Sequence, residues 1–223
     1  MPKKKSHFSI REVFRVNRLV KYFVLSDLMF MGGWGLVGPI FALFVVRDIP
    51  GTTMFTVGAV AAAYWFTKAV VQVPVALYID KKRGERDDFH ALIFSLLLSG
   101  FTSFSLALVT SIPTLFFVVI MKGVAFGFYT PSWAAIFSRH LDKKRYAFDW
   151  ALDHASIGVA FGFAALVGGA VASIFGFKAI FVAASLLSFC AVMLLIFTPH
   201  LILPPPKSRK GEVRDHSPRS IGR

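Results

Sequence analysis

Residues Trp150–Ile174 read WALDHASIGVAFGFAALVGGAVASI, and the twenty from Ala155 onward contain no ionisable side chain. After Phe175, Gly176–Pro199 continues as GFKAIFVAASLLSFCAVMLLIFTP, where Lys178 is the one charge. A helix needs about 20 apolar residues to cross a hydrocarbon core, and it satisfies its own peptide groups there. The two runs therefore predict two transmembrane helices. Working back along the chain gives four more: Tyr22–Val46, Phe55–Tyr78, Ala91–Val109 and Leu115–Phe137. Barrel strands would be short and alternating, whereas these runs are long and continuous. The first is also longer than the 7–15 residues of a signal-peptide core, and no cleavage site follows it.

Composition agrees. Apolar residues make up 56% of 223, with 25 Phe, against roughly 45–50% in soluble domains. Lys and Arg nevertheless outnumber Asp and Glu by 25 to 12. High hydrophobicity and a positive excess fit together when the charges are segregated. The segment before the first span, the second loop, the fourth loop and the tail carry 21 basic residues, while the opposite side has Arg47 and Lys178. Lys/Arg-rich loops stay in the cytoplasm, so both termini are expected there. The charges flank spans and form no single patch, which argues against nucleic acid as a partner. The expected organisation is a basic cytoplasmic segment over 1–21, a six-helix domain over 22–199 and a disordered basic tail over 200–223. Ser9–Val20, basic with spaced apolar residues, reads as a short interfacial helix.

Spans one and four share a pattern. Trp34-Gly35-Leu-Val-Gly-Pro39 and Phe126-Gly127-Phe-Tyr-Thr-Pro131 each place an aromatic, then Gly, then Pro four residues on. The spans run in opposite directions, so the expected architecture is two inverted three-helix repeats, a transporter signature. The fifth span is rich in small residues, and Gly158, Gly162, Gly168 and Gly169 are expected to let another helix approach closely. Cys190, in an apolar run, reads as a buried, inert thiol.

The second span ends Val75-Ala-Leu-Tyr-Ile-Asp80-Lys81-Lys-Arg-Gly84-Glu-Arg86. This resembles the loop between helices two and three of the major facilitator superfamily, with Gly84 displaced by one position. Met121-Lys-Gly-Val-Ala-Phe-Gly127 before Pro131 looks like the family's fourth helix, and Gly176-Phe-Lys178-Ala-Ile-Phe181 like the start of its sixth. Val119 and Lys122 stand where the family often has Arg and Gln, and the fifth span lacks the antiporter Pro, so drug:proton antiport is not implied. The resemblance covers roughly residues 15–199. Family members usually have twelve spans in two similar halves, so this chain is similar to a single half. The halves of such transporters share an orientation, as two copies of this chain would. The resemblance thus implies partnership with a second copy or a related half.

Ionisable groups inside spans are costly and need a role. Asp27, Lys68 and Lys122 are the candidates, and the resemblance places them within reach of the transport cavity. Two lysines favour an anionic or carboxylate-bearing solute. Gln72, Trp34, Tyr129 and Trp133 are further candidate substrate contacts on the same spans. Asp80, with Lys81, Gly84 and Arg86, is implied by the resemblance to gate the half against its partner. Asp149, Asp153 and His154 open the fifth span, where carboxylates complement the helix dipole.

No nucleophile motif, Walker A loop, Rossmann glycine triad or HEXXH appears, so neither an enzyme, a cofactor nor a metal is expected. The sequence reads as a multi-pass transporter of the plasma (inner) membrane, moving a small-molecule substrate by alternating access as a homodimer in the lipid bilayer. The alternative is a non-transporting scaffold or partner subunit.

Overall fold

The computed structural model describes residues 18–82, 85–140 and 146–198. The 1–17 segment, the tail from 199, and Gly84 lie outside the described residues, as does most of the expected interfacial helix.

Among the described residues there are six helices: α1 Arg18–Asp48, α2 Met54–Lys82, α3 Glu85–Leu106, α4 Ile112–His140, α5 Tyr146–Phe175 and α6 Phe177–Phe197. Each contains a stretch long and apolar enough to span a membrane. Most begin or end a turn or more beyond the apolar run, because charged turns continue the helix into the headgroup layer. Short links keep successive helices antiparallel. One end of the bundle thus gathers the links at 83–84 and 141–145, here the basic-loop end.

The opposite end is closed by polar caps. The Thr52 hydroxyl lies 2.6 Å from Val45 O and 2.8 Å from Ile49 O and shares its one hydrogen between them, capping the end of α1. Thr53 and Thr56 exchange backbone-to-hydroxyl bonds at the start of α2, and Ser111 and Thr114 pair at 2.9 Å at the start of α4. Gly51 and Gly176 have φ of 77° and 79°. Glycine takes that left-handed conformation without steric cost, which lets α5 pass to α6 through one residue.

Packing follows a definite list. α1 lies on α5 and α6, α4 lies on α2 and α3, and α3 meets α6. Glycines set the closest approaches. A Cβ on Gly127 would stand 2.7 Å from Val71 Cβ, and one on Gly123 would stand 2.8 Å from Thr67 Cβ. On the other side a Cβ on Gly35 would stand 2.9 Å from Ala164 Cβ, and one on Gly168 2.7 Å from Leu36 O. Interhelical hydrogen bonds add to this: Trp34 Nε1 donates to Ser99 Oγ at 2.9 Å and Ser103 Oγ to Phe181 O at 2.9 Å. In lipid, close packing and such bonds hold helices together.

Packing within the chain divides the four α5 glycines, and two other expectations change. Gly158, Gly162 and Gly169 have no neighbour within 4 Å of an added Cβ, so Gly168 is the one of the four that packs within the chain. The close-approach GxxxG of the described bundle is Gly123–Gly127. Cys190 is exposed, not buried, because a membrane helix is apolar on its outer face as well as its inner one. Asp153 is the eighth residue of α5, two turns in, and 2% exposed. That depth removes it from the first-turn dipole position, which Asp149 occupies.

Candidate functional site

Lys68 is the central residue of α2 and Phe126 the central residue of α4. The Gly123–Gly127 seam presses α4 onto the backbone of α2, which brings these two residues to one level. Lys122 is one turn from Phe126 on the same face of α4. Its ammonium lies 3.7 Å from the centroid of Trp34, 5.1 Å from Tyr64, 5.8 Å from Phe126 and 5.9 Å from Phe41. The Lys68 ammonium lies 5.1 Å from the Trp65 ring and 6.0 Å from Phe126. Both ammoniums therefore lie near one phenyl ring. Neither forms an ion pair with a described carboxylate; the ring faces, with their negative quadrupole, offset part of the charge.

A cavity of about 190 Å³ opens beside Lys122 between α1, α2 and α4, lined by Val37, Gly38, Phe41, Tyr64 and Trp65. It has apolar walls and one cation. Such a site suits a small solute with an apolar body and a negative group.

Phe126 also joins a second cluster. Its ring lies 5.4 Å from Phe30 and 5.9 Å from Tyr129, and Phe30 lies 4.6 Å from Tyr129. The Tyr129 hydroxyl donates to Asp27 Oδ1, and Asp27 is 3% exposed.

The other candidates fall elsewhere. Gln72 is half-buried, one turn from Lys68 on the same face of α2. Trp133 stacks on Phe137 at 4.5 Å and Phe23 at 5.7 Å, with Trp150 edge-on, toward the basic-loop end and apart from the lysine cavity. Asp80, Lys81 and Arg86 are exposed. Asp80 borders a recess of about 450 Å³ between α2 and α4 whose far wall includes Ser138 and Arg139. Arg139 pairs with the fully buried Asp88 at the start of α3. Sequence reading passed over Tyr64, Phe126, Phe30 and Ser99. The spacing Tyr64–Lys68–Gln72, each four apart, carried the signal for the first.

A sequence profile of the Major Facilitator Superfamily matches residues 23–222. The chain belongs to this superfamily. It is thus a multi-pass membrane protein of a transporter family. Its fold is similar to that of the POT family transporter PepTSo, with a TM-score of 0.67 and 14% identity over 88% of this chain. The chain spans 40% of that transporter's length. No match was found among curated proteins.

Proposed function

We propose that this protein is one half of an alternating-access transporter for a small anionic solute, working as a parallel pair of six-helix chains. The observation that carries it is Lys122, which lines a cavity within the spans, with a second lysine, Lys68, about as far from the Phe126 ring as Lys122 is. A cation kept in a membrane without a counter-charge is expensive, and an anionic solute would supply that charge when it binds.

The packing list supports two inverted three-helix repeats. Exchanging α1–α3 with α4–α6 leaves it unchanged: α1 on α5 and α6 becomes α4 on α2 and α3, and α3–α6 maps onto itself. Gly35 against α5 and Gly127 against α2 take equivalent places in it.

Exposure supports the pairing of halves. In α2 and α5, 6% and 11% of the apolar stretch is buried, against 44% to 50% in the other four. Gly158, Gly162 and Gly169 lie on α5 with open space before them, ready for a helix of a second copy or a related half. Asp80, Lys81, Gly84 and Arg86 then serve as the gating loop at that junction. The charge bias supports cytoplasmic termini in a plasma membrane, with 1–21 and 200–223 outside the six-helix domain. Asp27, Trp34, Gln72, Tyr129 and Trp133 complete the solute path.

The test is uptake by proteoliposomes of labelled small carboxylates, phosphate esters, neutral solutes and cations. Anions alone should accumulate and exchange. An assembled, monodisperse protein that moves none of them would favour the scaffold reading.

A further inference from the structure

The cavity beside Lys122 has a definite charge count. Among the described residues its one charged lining group is Lys122 itself. Tyr64 and Trp65 add a hydroxyl and an indole N–H, and the other walls, Phe41 and Ala61 among them, are apolar. No described carboxylate lines it, and Lys68, though near the Phe126 ring, does not line it either. A solute with one negative charge is matched by this wall. A second negative charge would be left among apolar groups, where an unpaired charge is expensive. A solute ammonium fares no better. The ring faces of Trp34 and Tyr64 would have to take it, and the Lys122 ammonium already lies 3.7 Å and 5.1 Å from their centroids. Like charges placed so close repel.

Size and shape narrow the ligand further. The cavity measures about 190 Å³. An apolar cavity of about 150 Å³ takes up benzene, so the space here suits one ring with one small substituent. Phe41, Tyr64 and Trp65 put three aromatic side chains on the wall, and aromatic rings pair favourably edge-to-face or offset. Gly38 keeps the space open: it lines the cavity, and a Cβ there would meet nothing within 4 Å. Gly35, one turn earlier on α1, differs, because a Cβ there would stand 2.9 Å from Ala164 Cβ. Gly35 serves helix packing, and Gly38 serves the cavity.

We propose that this cavity binds a monocarboxylate with a single aromatic ring, its carboxylate on the Lys122 ammonium and its ring among Phe41, Tyr64 and Trp65. Gly38 of α1 and Ala61 of α2, small residues of the wall, set the size limit. That such a ligand is carried across the membrane rests on the transport reading above; its binding does not.

The test is equilibrium binding of labelled benzoate to the full chain in lipid, at about pH 7.5, where a carboxylate is ionised. Protein-free lipid gives the background. Benzamide has the ring without the charge, phthalate a second charge, phenylalanine an added ammonium, and 2-naphthoate a second ring. Each should compete at least about tenfold more weakly than unlabelled benzoate. Lys122→Gln should weaken benzoate binding about tenfold or more, and Lys122→Arg, which keeps the charge, should retain part of it. Gly38→Ala and Ala61→Leu fill the cavity at exposed positions. Ala61→Leu should weaken benzoate about fivefold or more, and Gly38→Ala less, with thermal unfolding unchanged in both. Any of the four competitors matching benzoate, or binding indifferent to Lys122→Gln, would overturn the proposal. Absence of saturable benzoate binding would overturn it too, even where flux of another anion is intact and the transport reading stands. Saturable, Lys122-dependent binding in a protein that moves no anion would uphold the site while the transport reading failed.

Discussion

The Lys122 ammonium sits 3.7 Å from the centre of the Trp34 ring, and the indole N–H of that ring donates to Ser99 at 2.9 Å. One tryptophan thus ties α1 to α3 by a hydrogen bond and to α4 by its face. A cation–π contact is worth about 0.5–2 kcal/mol, more when desolvated, and a buried hydrogen bond about 1 kcal/mol. Trp34→Phe keeps a ring face and loses the donor; Trp34→Leu loses both. Thermal unfolding in detergent should show the Leu variant the less stable by about 1 kcal/mol or more. Equal stability would mean that the ring face does nothing for Lys122.

The α2–α4 seam gives a second expectation. Overpacking costs about 1–3 kcal/mol, and a Cβ at Gly127 would meet Val71 at 2.7 Å. Gly127→Leu should destabilise the isolated chain by at least that much. Gly158→Leu, facing open space, should leave the monomer's unfolding unchanged and weaken self-association measured in lipid. A monomer equally harmed by both would contradict the assigned seam.

Asp88 is fully buried and its carboxylate is met by Arg139. Removing one partner of such a pair costs about 3–5 kcal/mol, and replacing both with neutral groups costs far less. Arg139→Gln should therefore be more destabilising than the double change with Asp88→Asn. A double variant as damaged as the sum of the singles would show the pair to be uncoupled.

Orientation is open to direct labelling. In a Cys190→Ser background, a membrane-impermeant thiol reagent should label Met54→Cys from outside intact cells and Lys81→Cys only after lysis. The reverse pattern would place the basic loops outside and remove the positive-inside reading.

Much of the fold was legible because lipid leaves a helix little choice. Each run of about 20 apolar residues had to satisfy its own backbone, so six helices followed from six runs. What sequence could not supply was facing. A membrane helix is apolar on every side, so nothing in the runs told Cys190 that it lay outward or Asp153 that it lay inward. The same blindness left open which α5 glycines face the bundle, where Gly168 packs on α1, and passed over Gly123, which with Gly127 brings α4 onto α2. Lys68 and Lys122 stood out because charges in spans are rare. Phe126 was visible as the aromatic of the span-four pattern, but its place near both ammoniums was not, since Phe is the commonest companion in such runs and only contact distances show it.

The central claim is that Lys68 and Lys122 hold an anion around Phe126. It is tested most directly by exchange flux of a labelled small anion in proteoliposomes bearing Lys68→Gln, Lys122→Gln or Lys122→Arg. A charge-assisted contact is worth about 1.5–3 kcal/mol, so each Gln variant should lose about tenfold or more. Lys122→Arg should retain a measurable part of the flux. Anion flux undiminished in both Gln variants would contradict the account.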